Sequence, residues 1–369
     1  MRIEQLVAER FRNLEPLDWA IDAQFVVLHG PNAQGKTNAL EVIHLLATLK
    51  PLKARRLREL VRFGEPDARV GARVGRDGVG RTLQVDLGPP GRTARIDGKA
   101  TSDLGEYFGA IRTIAFVPSD GEIVTGEPAR RRSWLDRAVF TQSPAHLDRV
   151  RAVRRVLDQK SAALRDPRPD LAVLDVLDDQ LARLGAELVD RRAALLAALA
   201  PHVERLHETI ALGHGQLTIG LRTDAAGPDL AARTEALAAA IAAARPRELQ
   251  RRTTLVGPHL DDLRIGIDHH ATREFGSRGQ VRSVVLAIKL AEMVAARERG
   301  LVPVFLIDDV SSELDAARTA RVVGCLAELG AQVFATTTDP GPLESVLPPE
   351  STASVAVRAG VLAPGRRDR

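Results

Sequence analysis

Hydrophobic and polar residues alternate along the first twenty positions of the chain, as they do in β-strands with one buried face. The segments "RIEQLVAERF" and "PLDWAI" predict two such strands, and the apolar run "FVVLHG" predicts a third, fully buried strand. Directly after it, apolar residues recur near helical spacing through "KTNALEVIHLLATL", which predicts a helix. Gly and Pro punctuate residues 68–97, a pattern typical of β-hairpins. The N-terminal part is therefore predicted to be α/β.

The pattern becomes helical in the middle of the chain. From about residue 127 to 250 the sequence is rich in Ala, Leu and Arg, with helical periodicity and almost no strand signal. Prolines are expected to mark helix starts or ends here, at Pro144, Pro167, Pro169 and Pro201.

Strand character returns in the C-terminal part, at "LRIGID" and at the apolar run "VPVFLI". A helix over residues 315–329 and a last core strand, "QVFATTTD", complete an α/β pattern. The order predicts one nucleotide-binding α/β fold split by an insertion. We expect the fold to comprise residues 1–118 and 251–369, and the all-helical arm to comprise residues 119–250.

Composition narrows the class of protein. Charged residues make up 27% of the chain and hydrophobic ones 44%, which is typical of a soluble globular protein. No apolar run approaches the roughly 20 residues of a membrane-spanning helix, and the N-terminus does not resemble a signal peptide. The single cysteine, Cys325, excludes an internal disulfide. We therefore expect a cytoplasmic protein with no membrane partner.

The segment "GPNAQGKT" satisfies the pattern G-x-x-x-x-G-K-[ST], directly after an apolar strand and at the start of a helix. In such a turn, successive backbone N–H groups point at the β-phosphate of a nucleotide. Lys36 is expected to neutralise phosphate oxygens and Thr37 to place its hydroxyl on Mg²⁺. The segment predicts ATP or GTP binding by Gly30, Pro31, Asn32, Ala33, Gln34, Gly35, Lys36 and Thr37.

Two aspartates follow the buried strand in "VFLIDD". Asp308 is predicted to hold the Mg²⁺ shell, and Asp309 to orient or deprotonate the attacking water. Lys36 and Asp309 are thus the predicted catalytic residues. Because aspartate is one methylene shorter than glutamate, hydrolysis is expected to be slow, since a small misplacement can cost on the order of 100-fold.

A second phosphate-like turn, "FGSRGQ", precedes a long helix but carries no lysine. Ser277 offers a hydroxyl, Gly279 an amide, and the helix beginning near Val281 its positive end. One interpretation is that this turn caps the nucleotide held by a second copy of the chain. The alternative, an ordinary capped helix N-terminus, remains open.

The segment Lys50–Arg62 is the most basic stretch. We predict that its helix presents Lys53, Arg55, Arg56 and Arg58 to DNA phosphates, which attract basic side chains regardless of base sequence. The alternative is a solvated helix face. Aromatic residues are only 3% of the chain, so a platform of stacking aromatics is not expected.

The order of P-loop, S-x-G-Q turn, aspartate pair and "SSELDAAR" resembles the Walker A, signature, Walker B and D-loop of ABC-type ATPases. "FRNLEPL", "FVPSDGEIVTGEPARRRSWLD" and "GPHLDDL" narrow the resemblance to the RecF family of bacterial recombination mediators. The similar segments keep the family order and extend from about residue 1 to 340.

The resemblance implies an SMC-like head with a helical arm, in which two copies enclose two ATP molecules and clamp DNA. It also implies recombinase loading at single-strand gaps, together with RecO and RecR, and a weak ATPase that acts as a switch. Gln280 carries over to the trans cap, Asp315 to the D-loop and Thr337 to the switch position. Ala33 and Leu260 depart from the family pattern, where glycine and arginine are usual.

Two other classes compete with a DNA clamp. An ATPase subunit that couples hydrolysis to a membrane transporter would share the signature turn, but the long helical insertion and the basic segment speak against it. A kinase or motor would share the P-loop, but would have no use for a trans signature.

Overall fold

A computed structural model describes residues 1–76, 78–89, 91–102, 104–211, 215–268, 270–271, 278–313 and 315–364. By its internal contacts the chain forms two compact units. The first unit comprises Met1–Asp120, Thr209–Ala211 and Glu292–Arg369, and the second comprises Gly121–Glu208 and Leu212–Ala291. The domain limits at residues 118 and 250 rest on sequence texture alone and stay a prediction.

The described elements follow the chain in an α/β order. The strands are β1 Arg2–Glu9, β2 Leu17–Ala20, β3 Phe25–His29, β4 Ala68–Arg76, β5 Val79–Gly88, β6 Gly91–Ile96, β7 Lys99–Ala100, β8 Thr113–Phe116, β9 Leu217–Arg222, β10 Asp262–Ile267, β11 His270–Ala271, β12 Val304–Ile307, β13 Val333–Thr337, β14 Thr352–Arg358 and β15 Val361–Pro364. The helices are α1 Lys36–Thr48, α2 Leu104–Ala110, α3 Glu122–Thr125, α4 Pro128–Gln142, α5 His146–Arg165, α6 Leu171–Ala211, α7 Leu230–Arg251, α8 Arg278–Glu298, α9 Val310–Glu313, α10 Ala316–Glu328 and α11 Gly341–Glu344. Short 3₁₀ helices lie at Leu57–Leu60, Pro118–Gly121 and Pro349–Ser351.

The first unit contains two six-stranded sheets. One is antiparallel, with the order β2-β1-β4-β5-β6-β7. The other has the order β15-β14-β3-β13-β12-β8, in which β14 through β8 are parallel and β15 is antiparallel. Every residue of β12 and β8 is buried. This is why these strands appear in the sequence as continuous apolar runs rather than as alternating ones.

Helix α1 contacts strands of both sheets, namely β4 and β5 of one and β13 and β8 of the other. All residues from Ala39 to Ala47 are buried, including the polar Glu41 and His44. A helix that is covered on all sides needs apolar residues all around its axis. The helix that follows the P-loop is therefore fixed between two layers.

The second unit differs from the predicted all-helical arm, because it contains strand β9. Residues Leu217–Arg222 pair antiparallel with β10 and form a three-stranded sheet of order β11-β10-β9. The prediction that 119–250 is all helical is wrong at this strand, whose hydrogen-bond partner lies about 45 residues further along the chain. Pairing over that distance is tertiary and leaves little local signal.

Proline positions were also only partly predictable. Pro144, Pro167 and Pro169 lie between helices, as expected. Pro201 instead lies inside α6, so its prediction as a helix boundary is wrong. Proline removes one helical hydrogen bond and favours a break, but residues on both sides of it, such as Leu199 and Val203, are fully buried and hold the helix in place by packing.

The "GPHLDDL" segment is held by arginines within the second unit. Arg192 donates to Asp261 at 2.7 Å and to the Pro258 carbonyl at 2.8 Å. Arg131 donates to Asp262 at 2.6 Å. Leu260 is 43% exposed, so its departure from the usual arginine leaves an apolar side chain at the surface of this turn.

Gln332 joins the two sheets of the first unit. Its side chain is 2% exposed, accepts from the Ile3 amide at 2.7 Å, and donates to the carbonyls of Ile3 and Ala23 at 3.0 and 3.1 Å. Ile3 lies in β1 at a register shift in its pairing with β4, and Ala23 lies between β2 and β3. The glutamine therefore hydrogen-bonds three main-chain groups of two buried residues.

We predict that Gln332→Ala lowers the free energy of unfolding by about 2–4 kcal/mol, because orphaned buried polar groups cost about 1–3 kcal/mol each. Urea titration followed by circular dichroism measures the change. Gln24→Ala is the control, since Gln24 is only half-buried and its side chain makes a single bond, to the Ala331 carbonyl at 3.2 Å. Equal losses in the two variants would contradict the special role of Gln332.

Candidate nucleotide-binding site

The P-loop connects β3 to α1 through a turn that needs unusual backbone angles. Gly30 has a φ of +142°, and a Cβ there would lie 2.5 Å from the Val357 carbonyl oxygen. Gly35, at the start of α1, has a φ of +109°. Ala33 also adopts a positive φ, 63°, at the position where the family usually has glycine. The turn therefore forms with a Cβ at Ala33, at an expected cost of about 1–2 kcal/mol for the left-handed conformation.

Lys36 points back over the P-loop. Its Nζ donates to the carbonyls of Gly30 and Pro31, at 2.6 and 2.8 Å. Burial lowers the pKa of this ammonium, whereas Asp309 and Asp308 act to raise it. The positive charge therefore lies in the same space as the two predicted carboxylates.

Asp308 lies at the end of β12 and is 1% exposed. Its Oδ1 accepts from the hydroxyls of Thr37 and Thr336, at 2.7 and 2.9 Å. Its Oδ2 lies 2.5 Å from Nζ of Lys53. Parallel β3, β12 and β13 end at the same edge of the sheet, which brings together groups about 270 residues apart in sequence.

Asp309 follows in a left-handed conformation, with a φ of 61°. Aspartate tolerates this conformation better than most residues do. Its amide donates to the Thr336 hydroxyl at 2.8 Å, and its carboxylate accepts from Ser311 at 3.3 Å. Thr336 thus contacts both aspartates and fixes the turn between them. The family resemblance assigned the switch position to the neighbouring Thr337 and gave Thr336 no role.

These groups line one cavity of about 340 Å³. Its donor set suits a nucleotide with a hard cation, because hydroxyl and carboxylate oxygens are the ligands that Mg²⁺ prefers and amides with a lysine suit phosphate. Thr37 and Asp308 are already within hydrogen-bond distance of each other, so both oxygens can reach one ion. The lining residues are Asn32, Ala33, Gln34, Gly35, Lys36, Thr37, Asn38, Lys53, Pro118, Asp308, Asp309 and Thr336.

Of the predicted trans-cap residues that the structure describes, namely Gly279, Gln280 and Asp315, none lines this cavity. Ser277 lies outside the described residues, and Gly279 and Gln280 occupy the first turn of α8 in the second unit. Asp315 caps helix α10, with its carboxylate accepting from the Arg318 amide at 2.8 Å. Their part in capping a nucleotide stays a prediction.

Thr337 is buried and its hydroxyl donates to the Asp339 carbonyl at 2.8 Å, so it stabilises the turn after β13. It is Thr336, its neighbour, that contacts the aspartate pair. The switch role of Thr337 stays a prediction.

The basic segment is not the predicted helix. Residues 50–56 form bends, and only Leu57–Leu60 are helical, as a 3₁₀ turn. The reason is Glu41 of α1, a buried carboxylate that has no recognisable signal in the sequence. One of its oxygens accepts from the amides of residues 52, 53 and 54, at 3.1–3.4 Å, and the other from Arg12 at 3.0 Å.

This turn directs Lys53 into the nucleotide cavity, against Asp308, rather than onto a helix face with its neighbours. Arg55, Arg56 and Arg58 are exposed, and among the described residues their guanidinium groups have no ion-pair partner. These three arginines are therefore exposed cations of the segment that form no ion pair within the described residues, and Lys50 is exposed as well.

Comparison with known proteins decides the family. No protein-family model matches the chain. The DNA replication and repair protein RecF of Myxococcus xanthus is 41% identical over 346 residues, covering 92% of this chain and 91% of that protein. RecF of Geobacter metallireducens is 39% identical over 342 residues, with 92% and 93% covered. The chain belongs to the RecF family.

Solved structures agree with this assignment. The recombination mediator protein RecF with ATP, from the RecFOR pathway, superposes with a TM-score of 0.88 at 26% identity, covering 99% of both chains. An SMC head bound to the C-winged helix domain of ScpA gives a TM-score of 0.59 at 14% identity, which shows the fold alone. The predicted ABC/SMC-type ATPase head is confirmed.

The transporter alternative gains no support from these relatives. Across the part of the chain that the structure describes, no helix combines the length and apolar character needed to cross a membrane.

We predict that Thr336→Val lowers the free energy of unfolding by about 1–3 kcal/mol. Valine keeps the shape but leaves the Asp309 amide and one Asp308 oxygen without this partner. Chemical denaturation measures the loss. Thr336→Ser is the matched variant and should remain close to wild type, because it retains the hydroxyl; a serine variant as unstable as the valine variant would argue that the methyl group, not the hydroxyl, matters.

Proposed function

We propose that this chain is an ATP-dependent DNA clamp for replication and repair. In this proposal it dimerises on ATP, binds gapped or single-strand/duplex DNA with RecO and RecR as partners, helps to load recombinase, and is reset by slow hydrolysis. The observation that carries the proposal is the meeting of Lys36, Thr37, Asp308 and Asp309 in one cavity. Membership of the RecF family supports the DNA-repair context.

Different residues of the cavity would bind the phosphates and the metal ion. Amides of Gly30–Thr37 would hold the phosphates, and Lys36 would exchange its bonds to the loop carbonyls for phosphate oxygens. Thr37 and Asp308 would hold Mg²⁺. ATP, when bound, supplies the phosphoanhydride bond whose hydrolysis resets the clamp.

Asp309 would orient the attacking water and accept its proton. The Thr336 hydroxyl accepts from the Asp309 amide, and together with the left-handed backbone it fixes the main chain at this residue, so the carboxylate can move only by rotation of its own short side chain. A shorter base on a fixed main chain favours slow hydrolysis, which suits a switch.

A second copy would complete the site. Lys36 already supplies the local lysine charge, so Ser277, Gly279 and Gln280 of the second copy need only add a hydroxyl, amides and a helix N-terminus. Asp315 and Thr337 would contribute near the same interface. ATP-dependent dimerisation is the property that separates this proposal from an isolated P-loop enzyme.

We predict that the wild-type chain is monomeric without nucleotide and dimeric with saturating ATP and Mg²⁺, as measured by light scattering. Lys36→Arg and Ser277→Arg should remain monomeric, whereas Asp309→Asn should dimerise and hydrolyse ATP at least about 100-fold more slowly. Ser345→Arg, which introduces the same side chain at an exposed serine of the first unit, should behave like wild type. A wild-type chain that stays monomeric would overturn the trans cap.

We further predict that Arg55→Ala/Arg56→Ala weakens binding to gapped duplex and reduces the slope of log Kd against log salt by about 2, since each phosphate contact contributes about 0.9. Fluorescence anisotropy across a salt series measures both. The control, Arg69→Ala/Arg73→Ala, removes the same number of positive charges, but from arginines that form ion pairs with acids. It should leave the slope unchanged. Equal effects in the two double variants would assign the result to net charge alone.

A further inference from the structure

Phe63 is an aromatic side chain in full contact with solvent. Its relative exposure is 104%, the highest among the exposed large hydrophobic side chains of the described chain. Aromatic side chains dominate the energetics of protein cores and interfaces, because each buries a large apolar area. The exposed ring offers a flat apolar face to a ligand.

Hydrogen bonds of Arg62 fix the turn that contains Phe63. The Arg62 amide donates to the Arg10 carbonyl at 2.7 Å, and the Arg62 guanidinium donates to the Leu14 carbonyl and contacts Glu15 at 3.3 Å. Gly64, with a φ of +87°, lets the chain reverse directly after the ring. The ring is therefore presented on a fixed backbone, so little entropy is lost when it is covered.

The charges around the ring indicate what covers it. Arg55, Arg56 and Arg58 lie just before it in the chain, exposed and without ion-pair partners among the described residues. Glu59 and Glu65, also exposed, line the same cleft as the ring. The anionic groups of a polyanion would bind the arginines and be repelled by the carboxylates. The ring therefore suits an uncharged, flat part of the same molecule.

An open cleft continues from the ring. Its volume is about 980 Å³, and its lining residues include Arg58, Arg62 and Phe63 together with the acidic Glu15, Glu59 and Glu65. A nucleic-acid strand has the required combination, with phosphates for the arginines and a base face for the ring. A continuous duplex hides its base faces, whereas an unpaired base or the last pair of a duplex exposes one.

We propose that Phe63 stacks on a base at the boundary between single-stranded and duplex DNA, while Arg55, Arg56 and Arg58 contact the adjacent phosphates. This inference rests on the DNA binding of the proposed function and deepens it. The arginines supply affinity for any DNA, and the ring supplies preference for the boundary. Phe63 would thus determine specificity for gaps rather than general binding.

The test uses the full chain with ATP and Mg²⁺, and gapped DNA with 2-aminopurine at the first unpaired base. Stacking of Phe63 should quench the probe. Phe63→Ala should abolish quenching and weaken gap binding by about 5- to 140-fold, since a stacked base contributes about 1–3 kcal/mol and 1.4 kcal/mol is tenfold. Its binding to continuous duplex should not change.

Two further variants define the chemistry. Phe63→Trp keeps a π-face and should retain quenching and gap preference, whereas Phe63→Leu keeps apolar bulk and should lose both. Val79→Ala, which truncates another exposed apolar side chain of the same unit, should match wild type throughout.

Several results would overturn the inference. They are unchanged gap binding in Phe63→Ala, an equal loss on gapped and continuous DNA, or a loss confined to a fluorescent ATP analogue or to dimer formation. A loss confined to the ATP analogue would assign the ring to the base of the nucleotide. A loss confined to dimer formation would assign it to a protein contact. If the wild-type chain itself binds no DNA with ATP, the proposed function fails first, and the inference fails with it.

Discussion

A carboxylate buried at the end of a parallel strand is the constraint around which the first unit is arranged. Asp308 is 1% exposed, and such a charge is tolerated only when hydrogen bonds and a countercharge surround it. Thr37, Thr336 and Lys53 provide them, from three separate parts of the chain. Satisfying this one group brings together the end of β12, the end of β13, the start of α1 and the basic segment.

Helix α1 connects the phosphate site to the core and to the basic segment. Because it is buried between two sheets, the helix that follows the P-loop is anchored in the core. Its buried Glu41 holds Arg12 on one side and the amides of residues 52–54 on the other. The segment with the open arginines is therefore tied to the helix that begins at the phosphate site. A single helix thus supports both the phosphate site and the segment proposed to contact DNA.

The second unit stabilises itself with charges of a different kind. Lys160 is fully buried and lies 2.7 Å from both Asp178 and Glu248. Removing one member of such a group is costly, because it leaves an uncompensated buried charge. These pairs, like those of Arg192 and Arg131, fix helices and the "GPHLDDL" turn within the unit. In the sequence alone, the arginines and acids of these pairs cannot be distinguished from those of a solvated helix face.

The sequence by itself determined the P-loop, the two aspartates, the α/β order and the family resemblance, because each depends on residues adjacent in the chain and on local periodicity. Only the tertiary structure decided the rest. Strand β9 forms because of a distant partner, Pro201 is retained in a helix by packing, and the helix predicted for the basic segment is replaced by a turn on Glu41. Lys53 and Thr336 have no local signal at all. Their roles arise from ion pairing and hydrogen bonding across the edge of a sheet, which a linear pattern does not record.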